Sequence, residues 1–119
     1  MEFDAKLPIY LQIMDDFKKQ VIRGIYQGGE KVASVRDLAV SYGVNPNTVQ
    51  RSLSELEREG LLYSERTSGR FITKDEAMLE RLKNDYANEL IDVCVKQLQE
   101  LNLSKDEIMK QMKERLENE

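Results

Sequence analysis

Apolar residues recur every three or four positions over most of the chain, with two short exceptions. Tyr10, Ile13, Met14, Phe17 and Val21 form the first such stripe, the spacing of an amphipathic helix. Pro8 suits its first turn, where a missing N–H costs nothing, and Gly24 is a natural terminator. Gly24 to Lys31 then reads as a turn-rich loop. A second helix is predicted after Ser34, whose hydroxyl caps free N–H groups while Asp37 takes the third helical position. Val35, Leu38 and Ala39 face inward, and Gly43 breaks the helix. A third begins at once, with Asn45 as cap and Pro46 in its first position. It buries Val49, Leu53 and Leu56 and stops at Gly60. The exceptions to helical spacing are Leu61–Tyr63 and Phe71–Thr73, two short strands around a polar loop over 64–70, hence a β-hairpin.

From Asp75 the texture changes. Leu79, Leu82, Tyr86, Leu90 and Val93 lie on one stripe, and Ala87, Ile91, Cys94, Leu98 and Leu101 on an adjoining one. An arc this wide points to two partners for the helix rather than one. Asn102 and Leu103 make a short break. Ser104-Lys105-Asp106-Glu107 is a capping-box sequence, opening a last helix with Ile108, Met109, Met112 and Leu116 on one side. The predicted fold is therefore mainly α with a small β-hairpin. A winged helix-turn-helix occupies residues 1–74, and a two-helix C-terminal dimerisation segment occupies 75–119. A two-helix tail leaves the wide arc uncovered in one small chain, so a homodimer is expected. Its expected interface is Leu79, Leu82, Tyr86, Leu90, Ile91, Cys94, Leu98 and Leu101.

Composition narrows the setting. No apolar run approaches the roughly 18–20 residues of a membrane span, and Met1–Lys6 lacks the basic start and apolar stretch of a signal peptide. Cys94 is the only cysteine, so an intrachain disulfide is excluded and a reduced, cytoplasmic protein away from membranes is expected. The formal net charge of −4 argues against a nucleic-acid partner until it is divided along the chain. Residues 1–74 carry 11 Lys/Arg against 10 Asp/Glu, whereas 75–119 carry 7 against 12. The acid sits in the tail, and a near-neutral domain binds DNA if its cations share a face. There is no histidine, no paired cysteine for zinc and no phosphate-cradling glycine loop. Neither an enzyme, nor a cofactor, nor a metal site is expected.

Two helices joined by a glycine-containing turn, from Ser34 to Gly60, match a helix-turn-helix. Opposite its buried stripe the second of them exposes Asn47, Thr48, Gln50, Arg51 and Ser54. Asn and Gln bond adenine edges in the major groove; Thr and Ser bond bases or phosphates. Arg51 offers charge to a phosphate, as does the positive end of the helix dipole. A solvated helix face with a good cap would use the same residues, and the hairpin is what shifts the balance. Arg66 and Arg70 flank a small tip at Ser68-Gly69, suited to the minor groove or the sugar-phosphate backbone. Arg36 opposes the dipole of its own helix; Asp37 or a DNA phosphate would offset it. The competing reading is a winged-helix protein-interaction module without sequence-specific DNA binding.

The run Gly24-x-Tyr26-x-x-Gly29-x-x-Val32-x-Ser34-Val35-Arg36-Asp37-Leu38-Ala39 resembles the start of the GntR-family winged helix. Tyr42–Arg51 and Leu56–Leu61 resemble its recognition helix and following strand, and Leu7-Pro8-Ile9-Tyr10-x-Gln12-Ile13 fits its opening. The short tail is similar to the YtrA-type subfamily. The resemblance implies a transcription repressor that binds double-stranded DNA; the two-fold symmetry of the expected dimer makes an inverted repeat the expected site. It also implies DNA contacts for Ser34, Arg36, Asn45, Asn47, Thr48, Gln50 and the wing-tip Gly69. Three positions depart from the family pattern. Ala33 replaces a proline, Pro46 stands where many members carry a base-reading arginine, and Thr67 replaces the first wing glycine. A tail of this length encloses no separate ligand domain, so a small effector, where there is one, is expected to be apolar and to sit at the dimer interface or between the tail and the winged helix.

Overall fold

The computed structural model describes residues 1–118. Their elements are α1 (Ile9–Ile22), α2 (Val35–Tyr42), α3 (Pro46–Arg58), β1 (Leu62–Glu65), β2 (Gly69–Ile72), α4 (Glu76–Glu100) and α5 (Lys105–Glu117). The chain divides into two compact units, Met1–Leu82 and Lys83–Glu119, and α4 begins in the first and ends in the second. The three expected caps form. Ser34 Oγ accepts from Asp37 N at 3.1 Å, Asn45 Oδ1 from Asn47 N at 2.8 Å, and Ser104 Oγ from Glu107 N at 3.1 Å. Each satisfies an N–H that the helix cannot. Gly43 ends α2 with φ at 71°, the left-handed conformation that glycine adopts without strain.

The first unit closes around α1, α2, α3 and the hairpin. Ile13, Phe17, Val49, Leu53, Leu56, Leu61, Leu62 and Ile72 are its deepest apolar side chains. Met78, Leu79 and Leu82 of α4 pack against this core, so it draws on residues beyond the expected boundary at 74. Polar ties fix the helices to one another. The hydroxyl of fully buried Ser52 lies 2.9 Å from the Tyr10 carbonyl oxygen and 3.0 Å from that of Thr48, joining α3 to the start of α1. Lys18 Nζ donates to Glu59 Oε1 at 2.8 Å and joins the far ends of the same pair.

Two stretches differ from the sequence expectation. The strands extend into the expected 64–70 loop, with register Leu62↔Ile72, Tyr63↔Phe71, Ser64↔Arg70 and Glu65↔Gly69. Ladder bonds use only backbone groups, so polar side chains are no obstacle to them. Gly69, with φ at 109°, closes the turn, and Ser68 N donates to Glu65 O at 3.2 Å. The end of the expected 24–31 loop is not loop either. Gly29 N donates to Ile72 O at 2.8 Å, Ile72 N to Glu30 O at 2.9 Å and Val32 N to Arg70 O at 2.9 Å, and Lys31 bridges Phe71. This segment therefore runs along the outer edge of β2. The glycines make the approach possible: a Cβ on Gly28 would sit 3.2 Å from Thr73 O.

Tyr42, at the end of α2, donates to Asp16 Oδ2 of α1 at 2.9 Å, and Gln20 Nε2 donates to the same oxygen at 2.7 Å. Burial, then the hydrogen bond and the negative charge of Asp16, push the Tyr42 phenol well above its ordinary value of 10.0. Tyr26 is raised for like reasons, burial first and then Glu30 and Asp16. A raised folded value means that stability owed to the neutral phenol is complete below about pH 10 and is lost as pH rises toward the folded value. Tyr42→Phe should cost about 1 kcal/mol near pH 7, where a hydrogen bond is lost, and should flatten the alkaline fall in melting temperature. Parallel melting profiles of the two proteins above pH 10 would contradict this assignment.

In the second unit, α4 ends at a turn where Asn102 takes φ of 63°. Ile108 of α5 is its one buried side chain among the described residues. Ile108 lines a crevice with Cys94, Leu98, Leu103, Gln111, Met112 and Arg115. Leu90, Ile91, Val93, Leu101, Met109 and Leu116 stay more than half exposed, which is a large apolar surface for so small a unit.

Candidate nucleic-acid interface

Helix α3 is two-faced. Val49, Ser52, Leu53 and Leu56 are buried, and the opposite stripe carries Asn47, Gln50 and Ser54, all exposed. Its first turn is pinned by Asn45 and Pro46, so the stripe starts at a defined place on the surface. Arg51 is exposed, yet its guanidinium carbon lies 3.7 Å from the centroid of the Tyr10 ring. That distance is a cation–π contact, and it holds a flexible cation beside the N-terminal half of α3. Thr48 is half-buried next to it, its carbonyl within reach of Ser52.

The wing stands beside this face. Arg66, Thr67 and Ser68 are exposed at its tip. Arg70 is not a free cation: its Nε donates to Glu57 Oε2 of α3 at 3.4 Å, its Nη1 to Gln50 Oε1 at 3.5 Å, and its side chain is 19% exposed. Lys31, on the segment edging β2, brings its Cε to within 3.4 Å of where a Cβ on Gly69 would sit. A cleft of about 700 Å³ opens between this edge and α2, lined among others by Lys31, Ser34, Val35, Asp37, Ser68 and Arg70. Arg36 lies exposed on α2.

Of the sequence-predicted DNA-contact residues, Asn47, Gln50 and Arg51 on α3 and Arg66, Ser68 and Gly69 on the wing are exposed within one unit. Ser34 and Asn45 serve first as helix caps. Sequence reasoning missed Lys31, Tyr10 and Glu57. Lys31 was hidden in the expected loop, although the alternation of exposed Lys31 and buried Val32 is a strand signal. Glu57 continues the Gln50–Ser54 stripe by one further turn. Among the eight expected interface residues, Leu79 and Leu82 pack on the core of the first unit. Cys94 and Leu98 line the crevice with Ile108, Tyr86 is half-buried, and Leu90, Ile91 and Leu101 are exposed.

Three helices, the third of them two-faced, and a hairpin define a winged helix-turn-helix regulator. Residues 9–72 match the family of bacterial regulatory proteins named for gntR, and the chain belongs to the GntR family. It is 38% identical over 112 residues to the uncharacterized HTH-type transcriptional regulator YhcF of Bacillus subtilis, covering 94% of this chain and 93% of that one. It is 41% identical over 71 residues to the HTH-type transcriptional repressor YtrA of the same organism, covering 60% of this chain and 55% of that one. The structure of a GntR family transcriptional regulator from Listeria monocytogenes superposes with a TM-score of 0.85 at 36% identity, over 94% of this chain and 98% of that one. The DNA-binding domain of AraR in complex with its operator ORR3 superposes with a TM-score of 0.55 at 25% identity, over 61% of this chain and 88% of that one. The protein is a transcription regulator with a DNA-binding domain, and its family are DNA binders rather than enzymes. No helix among the described residues is long and apolar enough to cross a membrane.

Proposed function

We propose that the protein is a cytoplasmic repressor that binds an inverted-repeat operator as a homodimer. Winged helix-turn-helix residues read DNA, and the two-helix tail pairs the copies. The observation that carries this reading is the exposed amide stripe Asn47–Gln50 on a helix whose other face is locked into the core. Asn47 and Gln50 read bases, preferably A·T pairs, since an amide matches the donor and acceptor on the adenine edge. Arg36, Arg51, Arg66 and Lys31 hold phosphates. The operator complex of the AraR domain and the repressor YtrA support the assignment. Dimerisation is supported by the exposed Leu90, Ile91, Val93 and Leu101. The crevice beside Cys94 is about 220 Å³, below the ~300–1,000 Å³ of ordinary small-molecule sites, so an apolar effector held in that crevice would need the second copy to complete its site.

Selection of bound sequences from random duplex DNA, followed by footprinting, tests the reading. Two symmetric half-sites are expected, spaced to bring major grooves to one side of the duplex. A direct repeat, a single half-site or binding without preference would count against it. Asn47→Ala should cost about 1–3 kcal/mol and relax one position per half-site. Arg66→Ala should weaken all sequences alike and reduce the salt slope by about one per copy, hence about two for the dimer.

A further inference from the structure

We infer that Arg70 of the wing is a specificity-determining positioning residue: it orients the Gln50 amide and leaves the phosphates to other cations. The inference rests on the reading of α3 as the base-reading helix. Gln50, Ser54 and Glu57 follow one another at four- and three-residue spacing, so they form one row along α3. The wing lies against the end of that row. Arg70 donates from Nε to Glu57 Oε2 at 3.4 Å and from Nη1 to Gln50 Oε1 at 3.5 Å. Gln50 Nε2 donates in turn to Ser54 Oγ at 3.3 Å.

The chemistry of the partners fixes the amide's direction. Guanidinium has five N–H donors and no acceptor, so only the carbonyl end of Gln50 is able to face Arg70. A reversed amide would set N–H against N–H. With Oε1 turned to the wing and Nε2 to Ser54, one lone pair and one N–H remain for a base edge, in a fixed order along the helix. A base pair presenting donor and acceptor in that order is matched, and its inversion is not. Glu57 makes this possible by holding the guanidinium at its Nε end. Its carboxylate also neutralises the charge of Arg70, whose side chain is 19% exposed. Exposed Arg66 and Lys31 remain the wing cations free to meet DNA phosphates.

The test is sequence selection together with salt titration on the full-length protein, comparing wild type with R70A, Q50A, the double variant R70A/Q50A, E57Q and R66A. A wild type that selects no motif overturns the underlying reading of α3. Given a wild-type motif, R70A should relax preference at the same position as Q50A. Discrimination there should fall by roughly five-fold or more, within the range of a single bidentate contact. The double variant should lose no more than Q50A alone, because Arg70 acts through Gln50. The salt slope of R70A should match that of the wild type, whereas that of R66A should fall by about one per copy. E57Q should loosen the same position while leaving the helix content unchanged. R70A behaving like R66A, with weaker binding to all sequences, a reduced salt slope and an intact motif, would overturn the inference. So would a motif in R70A and E57Q identical to that of the wild type.

Discussion

Replacing Leu90 and Leu101 together by glutamate should convert the protein to a monomer and lower its operator affinity by about 10²- to 10⁴-fold, the loss expected when two linked contacts become one. The two residues are 71% and 70% exposed in the single chain, Leu90 on α4 and Leu101 at the turn directly after its last residue, Glu100. Neither contributes to the core of the first unit, so the variant should fold. The tail already carries 12 Asp/Glu against 7 Lys/Arg, and two more carboxylates per copy would face their counterparts across a two-fold axis. Burying an unpaired charge there is costly, and like charges repel. Sedimentation over a range of concentrations reads the assembly directly. A wild-type chain that sediments as a monomer at micromolar concentration would remove the premise. A double variant that remains a dimer would place the interface elsewhere.

That surface also explains which parts of the molecule were legible in the sequence. Helix ends were readable because Ser34, Asn45, Pro46, Gly43 and Ser104 act locally: a cap or a left-handed glycine does its work within one turn. The α3 faces were readable for the same reason, since a period of 3.6 places Val49, Leu53 and Leu56 opposite Asn47, Gln50 and Ser54. Tertiary choices were not readable. The wide apolar arc of α4 predicted more than one partner, but no pattern says which partner takes which residue. Met78, Leu79 and Leu82 pack on the core of the first unit, whereas Cys94 and Leu98 share a crevice with Ile108. Periodicity treats all of these positions alike.

The interface shows the same division. The exposure of Asn47 and Gln50 was legible because their amides stand on a predictable face. Arg70 looked equivalent to Arg66, both being arginines at a hairpin tip. What separates them is the two-residue extension of the strands beyond the expected ends. That extension puts Arg70 opposite Ser64 in the ladder and beside Glu57, and leaves Arg66 in the turn. Strand length depends on backbone pairing, to which side-chain polarity is a poor guide. The lysine at position 31 was missed for a related reason. Gly28-Gly29 marks a turn correctly, but the following residues pair with β2 rather than continuing the loop.

Phe17→Ala should destabilise the first unit by about 3–5 kcal/mol, the cost of emptying a large aromatic site in a close-packed core. Phe17 is 1% exposed and stacks on Tyr26 with ring centroids 4.9 Å apart. The cavity would open between α1 and the segment leading to β2. Both flanks are tethered, α1 by the Ser52 and Lys18 contacts and the following segment by its pairing with β2, so collapse around the missing ring is resisted and the cost should fall in the upper half of that range. A domain of this size has on the order of 5 kcal/mol to lose, so the variant should retain only about 1 kcal/mol or less and be unfolded in a substantial fraction, up to about half. On the proposed function, operator DNA binds the folded form alone, so at 100 times its Kd it should restore about 2.7 kcal/mol. Melting of wild type and variant, each with and without operator, checks both numbers. Val40→Ala, at a position 79% exposed on α2, is the control and should change stability by less than about 0.5 kcal/mol. A Phe17→Ala protein as stable as the control would mean that the α1 contact is not what holds the recognition helix in place.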